Sequence, residues 1–121
     1  MVTHKPCIIP IASLKDAQRE IQNIGSDPRS IDIMAPKAIT RVIRLEHVVL
    51  QDAIIIKQDM LSIGGEVALP KEAFALKETT ADILLIGTIK QLNELIEKLN
   101  RHYPRIQQIS KELSTFLPTI L

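Results

Sequence analysis

The chain changes period abruptly at Gly64-Gly65, and this change restricts its fold more than any other feature. On a helical wheel of about 100° per residue, Val49, Leu50, Ala53, Ile54, Ile56, Met60, Leu61 and Ile63 share one arc. Gln51, Asp52, Gln58, Asp59 and Ser62 lie opposite, with Ile55 exposed among them. The glycines stop this helix, since its end calls for a residue with positive φ. Glu66 to Leu69 then reads as a short strand, closed by Pro70.

The same alternation of helix and strand runs through the chain. Cys7 to Ile11 reads as a short buried strand, and Ser13 as the N-cap of a helix carrying Leu14, Ala17, Ile21 and Ile24, stopped by Gly25. Within the proline-containing loop 25–37, Ile31 and Ile33 alternate with Asp32 as a brief edge strand. Ala38 to Glu46 is β-branched and free of Gly and Pro, which predicts a longer strand with Ile39, Arg41, Ile43 and Leu45 on its apolar face. Lys71 to Lys77 reads as a helical turn, and Asp82 to Ile86 as a buried strand. Thr88 and Gln91 have the spacing of a capping box before the apolar stripe Ile89, Leu92, Leu95, Ile96 and Leu99. Pro104 opens a last amphipathic helix through Leu117, ended by Pro118. Short, nearly all-apolar strands argue for burial on both faces. The predicted fold is therefore an α/β open sheet of about four to five short, largely parallel or mixed strands covered by about four helices.

At 121 residues the chain suits a single domain, 1–121. Aromatic residues make up only 2%, so the core must be filled by aliphatic side chains, and base stacking is disfavoured as a binding mode. A formal net charge of +1 supplies no broad field for nucleic acid or anionic lipid. Cys7 is the only cysteine, which excludes an internal disulfide and suits a reducing, cytoplasmic setting. His4, His47 and His102 have no partners at ligand spacing, so neither a metal site nor a cofactor is expected. The apolar run from Cys7 to Ala12 is too short for a membrane span.

Two cations stand on apolar faces, Lys57 in the helix and Arg41 in the strand. A desolvated ammonium needs a partner. Either the stem of Lys57 covers apolar surface while its head reaches water or a carboxylate such as Glu46 or Glu66, or Lys57 and Arg41 converge on an anionic ligand. Gly64-Gly65 follows a helix, the wrong order for a phosphate cradle. Gly87-Thr88 follows a strand and opens a helix, so its backbone N–H groups could hold an anion, or Thr88 could simply cap. Asp52, Asp59, Glu94 and Glu97 read as solvated surface acids, and no Ser, His and carboxylate grouping can be assigned.

The run Val48 to Pro70, with its Lys57-Gln58 and Leu61-Ser62-Ile63-Gly64-Gly65 elements, followed by Ala81 to Thr88 and the helix beyond, resembles the accessory N-terminal region that precedes the barrel in some dihydropteroate synthases. The resemblance is strongest over 34–117. In that family the barrel joins a pterin diphosphate to 4-aminobenzoate, and a barrel usually needs about 250 residues. The family's catalytic motifs have no counterpart here. The resemblance thus implies a non-catalytic accessory or small-ligand-binding domain related to pterin and folate metabolism, and it covers the positions Lys57, Gln58, Gly64, Gly65, Gly87 and Thr88. With Arg41 added from its place on an apolar strand face, the candidate ligand residues are Arg41, Lys57, Gln58, Gly87 and Thr88. Its expected partner is a separately encoded pterin-pathway enzyme. Two other readings stay open: a small enzyme or sensor that binds a phosphorylated metabolite at Arg41, Lys57 and the Thr88 helix start, and a purely structural or protein-interaction domain. For the last, Ile55, Leu117, Ile120 and Leu121 are candidates for homo-oligomer contacts.

Overall fold

In the computed structural model, which describes residues 2–71 and 79–121, the elements follow the order helix, helix, strand, helix, strand, strand, helix, helix. Ser13 caps α1 (Leu14–Ile24) by accepting the Asp16 N–H at 3.1 Å, and Gly25 ends it. Asp27 caps α2 (Pro28–Met34), where an edge strand at Ile31 and Ile33 was expected. The correction has a local cause. Asp27-Pro28 is an N-cap followed by proline at the first helical position, and this start signal outweighs the alternation of two isoleucines.

A 3-10 turn, Ala35–Lys37, leads to β1 (Thr40–Val49), α3 (Leu50–Ser62) and β2 (Glu66–Ala68). From Thr80 onward come β3 (Thr80–Thr88), α4 (Ile89–Leu99), α5 (Pro104–Phe116) and a closing 3-10 turn, Leu117–Ile120, that contains Pro118. The helical turn expected at Lys71 to Lys77 lies, beyond Lys71, outside the described residues. The strand expected at Cys7 to Ile11 does not form: residues 2–10 are exposed, with Ile8 94% so. Pro6 precedes the run and Pro10 lies within it, and neither has a backbone donor to give a ladder.

Among the described residues the sheet has three strands in the order β1-β3-β2, and both pairings are antiparallel. The expectation of four to five largely parallel or mixed strands is corrected accordingly. Its error was to read apolar strands as buried on both faces. Ile43, Ile83 and Leu85 are buried on the inner face, while Val42 and Leu84 on the outer face are 60% and 37% exposed. One face open to water is the ordinary arrangement for an antiparallel sheet. Between Leu45 and Val48 the register slips by a bulge, where His47 has φ 54 and donates its N–H to the Asp82 carboxylate at 3.1 Å.

The core lies between the inner face and the helices, filled by Ile56, Met60, Leu85, Leu92, Leu95 and Ile106, each at most 1% exposed. As the scarcity of aromatic residues predicts, it is aliphatic with one methionine. Among the described residues no helix is long and apolar enough to cross a membrane.

Candidate functional site

Two corners of the sheet gather polar side chains, and most of the residues singled out by sequence lie at or near the first. At the first, α3 ends at Gly64, whose φ of 91° is open to glycine at little cost. Gly65 and Gly87 then let backbone pass close to Met60. A Cβ on Gly65 would stand 2.7 Å from the Met60 sulfur, and one on Gly87 3.0 Å from its terminal methyl. The glycine pair therefore serves helix termination and close packing together.

Thr88 caps α4 as its spacing predicts. Its hydroxyl accepts the Gln91 N–H at 3.1 Å, and the Gln91 side-chain oxygen accepts the Thr88 N–H at 2.9 Å. The same Gln91 side chain donates to the Ile63 carbonyl at 3.4 Å and so ties the start of α4 to the end of α3. The cap uses two of the donors that an anion at this helix start would need. Thr88→Ala should cost about 1 kcal/mol. Because the residue-88 N–H and the Ile63 carbonyl that the Gln91 side chain binds survive that change, Gln91→Ala should cost a similar amount with or without Thr88, a near-additivity that urea titration of the two single variants and the double variant would measure.

Lys57, 31% exposed, donates to the Val67 carbonyl at 3.0 Å and lies 3.3 Å from the Glu66 carboxylate. This is the internal partner that the first of its two readings named. The Glu66 carboxyl is held below its usual value, first by the Val67 N–H it accepts and then by Lys57. Arg41 donates instead to the carbonyls of Ala12 at 2.7 Å, Ile120 at 3.3 Å and Thr40 at 3.3 Å, tying the N-terminal segment and the closing 3-10 turn to β1. The two head groups do not converge. Lys57 reaches a carbonyl of β2, Arg41 belongs to β1, and β3 lies between these strands. Gln58 is exposed on α3, and Gly87 is buried.

The second corner went unread in the sequence. Asp52 is 1% exposed, contrary to its expected place among surface acids. Arg105 Nε stands 2.5 Å from its Oδ2 and Arg105 Nη2 2.9 Å from its Oδ1, a two-pronged pair, and the Tyr103 hydroxyl donates to Oδ1 as well. The hydrogen bonds from Arg105 hold the Asp52 carboxyl below the usual carboxylate range, overcoming the opposite effect of burial, and Tyr103 adds to them. The carboxylate in turn raises the Tyr103 hydroxyl and the Arg105 guanidinium. One turn beyond Ile56, Asp59 Oδ2 lies 2.8 Å from His102 Nε2. Together these groups form a polar seam that fixes α3 to the turn between α4 and α5.

The arc of α3 that faces inward is thus rotated from the expected one: it takes in Asp52 and releases Leu61, which is 47% exposed. One sign was visible, since Asp52 and Asp59 stand seven residues apart and so on one face. Their partners, some fifty positions later, were not. Both oxygens of Asp52 are engaged, so the seam is built to hold two helices and not to accept a substrate proton.

A third feature is an apolar cleft of ≈ 440 Å³ between β1 and α5, lined by five consecutive strand residues, Arg41 to Leu45, and by Glu112, Leu113, Phe116 and Ile120. Of the residues proposed for self-association, Leu117 is buried, Ile55 and Ile120 pack against the core, and Leu121 is 42% exposed. No group of three or more His, Cys, Asp or Glu side chains that could hold a metal ion occurs among the described residues.

The fold and its two corners define a small α/β unit, a three-stranded antiparallel sheet with its helices on one face. No family model and no solved structure matches it. Over 105 residues, or 87% of this chain, it is 32% identical to the bifunctional dihydropteroate synthase/dihydropteroate reductase of Helicobacter pylori. The chain spans 27% of the length of that relative. It is therefore similar to a part of a dihydropteroate synthase-bearing protein, in agreement with the resemblance carried by Val48 to Pro70 and Ala81 to Thr88.

Proposed function

We propose that this chain is a non-catalytic accessory unit that works beside dihydropteroate chemistry carried elsewhere, in the pterin and folate branch of metabolism. The observation that supports this most is the shape of the similarity: nearly all of this chain matches about a quarter of a far longer enzyme. Within this reading Arg41, Lys57, Gly87 and Thr88 hold the fold, through carbonyl ties, an ion pair, a close approach and a cap. Gln58, exposed on the outside of α3, is free to meet a neighbour.

A graft tests the proposal. The relative with its matching segment deleted should lose thermal stability or dihydropteroate formation, and inserting this chain in its place should restore at least half of what was lost. The chain alone should form no dihydropteroate. A graft no better than the deletion, or turnover by the isolated chain, would overturn the accessory reading.

A further inference from the structure

The two edges of the sheet are unlike. β2 is three residues long and Pro70 follows two positions on, a short edge that cannot template another strand. β1 runs for ten residues, and among the described residues only β3 pairs with it. The direction of its free groups follows from one bond. Ile89 donates its N–H to the Ile39 carbonyl at 3.0 Å, in line with the register Thr40↔Thr88. Antiparallel ladders alternate, so Ile39, Arg41, Ile43 and Leu45 turn their N–H and C=O toward β3, and Thr40, Val42 and Arg44 turn theirs away from the sheet. Directly beneath this edge lies the apolar cleft, with Leu113 and Phe116 along its far wall.

We propose that the free edge of β1 is where two copies of this chain join, antiparallel about a two-fold axis at Ile43, giving one continuous six-stranded sheet. In that register Val42 of each copy faces Arg44 of the other, and all four sets of outward N–H and C=O groups at these positions find partners. Ile43 meets Ile43, and Arg41 faces Leu45 of the second copy, so no arginine directly faces an arginine. The charges of the cleft also match a second copy. Arg41 lies 3.3 Å from the Ile120 carbonyl, which places its end of the cleft at the end of the chain. Counting back two turns from Ile120 puts Glu112 toward the Leu45 end of the cleft. In this register Leu45 faces Arg41 of the second copy, so the two opposite charges come to the same end even with Arg41 held by its own carbonyl partners. The exposed Phe116, 45% accessible, would be covered in the same step.

Sedimentation equilibrium of the whole chain should give a reversible species of twice 13.6 kDa. Val42→Pro removes an N–H that β3 does not use, so it should leave the circular dichroism spectrum unchanged and weaken the dimer by about tenfold or more. The register makes a sharper demand. Val42→Lys sets lysine against arginine twice per dimer and should weaken association by about tenfold, whereas Val42→Glu sets opposite charges together and should strengthen it. Should Val42→Pro fail to fold, the lysine and glutamate variants decide alone. A chain that stays monomeric at several hundred micromolar, or a dimer indifferent to all three substitutions, would overturn the proposal. So would capture of this edge by an extended peptide from another protein with no self-association.

Discussion

Asp52→Asn will lower the stability of the chain by about 2–3 kcal/mol at neutral pH, because it exchanges charge-assisted hydrogen bonds at a buried position for weaker neutral ones. For a chain of this size the loss corresponds to a fall in Tm of about 10 °C, readable by calorimetry. The pH dependence gives the effect its signature. The Asp52 carboxyl is held below its usual value in the folded protein, so on average this group binds fewer protons in the folded state than in the unfolded state. The stability it contributes is fully present above the unfolded carboxylate value of about 3.9 and is lost as pH falls through the lower folded one. The gap between wild type and Asp52→Asn should therefore be level from pH 5 to 8 and close below about pH 4. Glu66, Asp16 and Asp27, which are also lowered, titrate in both proteins and cancel from the difference. Arg105→Met provides the contrast. It leaves a carboxylate that is 1% exposed without its counter-charge, so it should be more damaging than Asp52→Asn at pH 7, and its deficit should begin to shrink at a higher pH as Asp52 takes up a proton. Equal losses in the two variants with no pH dependence would mean that the seam contributes packing alone.

What could be read from the sequence and what could not divide along a physical line. Local signals were legible: Ser13 and Gly25 bound the first helix, Thr88 and Gln91 form their box, and Gly64 ends the third helix where the change of period puts it. Each depends on neighbours within four positions. Lys57 was half legible. Its anomaly in the apolar arc was visible and its Glu66 partner was among those named, yet the Val67 carbonyl that completes its site depends on how β2 returns. The seam was illegible because its halves come from α3 and the turn after α4, and an aspartate on a helix gives no hint of an arginine some fifty residues on. Strand direction failed for a related reason. Apolar content tells how a strand is buried only if the number of covered faces is known, and here one face is open. The candidate ligand pair Arg41 and Lys57 shared the weakness, since two cations on apolar faces need a common face to converge.

Gly65→Ala should destabilise the protein by about 2 kcal/mol, the cost typical of forcing one extra carbon into a packed interior. The added Cβ would stand 2.7 and 2.8 Å from the sulfur and Cγ of Met60 and 3.1 Å from the Ile86 carbonyl oxygen. Met60 is 0% exposed, so its flexible chain has no open space to enter, and the carbonyl belongs to the ladder between β2 and β3. Gly64→Ala differs in mechanism. Its backbone has φ 91° and its nearest neighbour is the Gln91 amide at 3.2 Å, so it should cost about 1 kcal/mol through backbone strain. The two causes separate in a Met60→Ala background. There the clash at residue 65 is largely relieved, and Gly65→Ala should cost well under half of its value in the wild-type chain, while the strain at residue 64 is unchanged. Chemical denaturation of the single and double variants measures both couplings. Additive losses at residue 65 would show that the Ile86 carbonyl, and not Met60, requires glycine there. The pair of glycines that first marks the fold in the sequence would then owe its second member to the sheet and only its first to the helix.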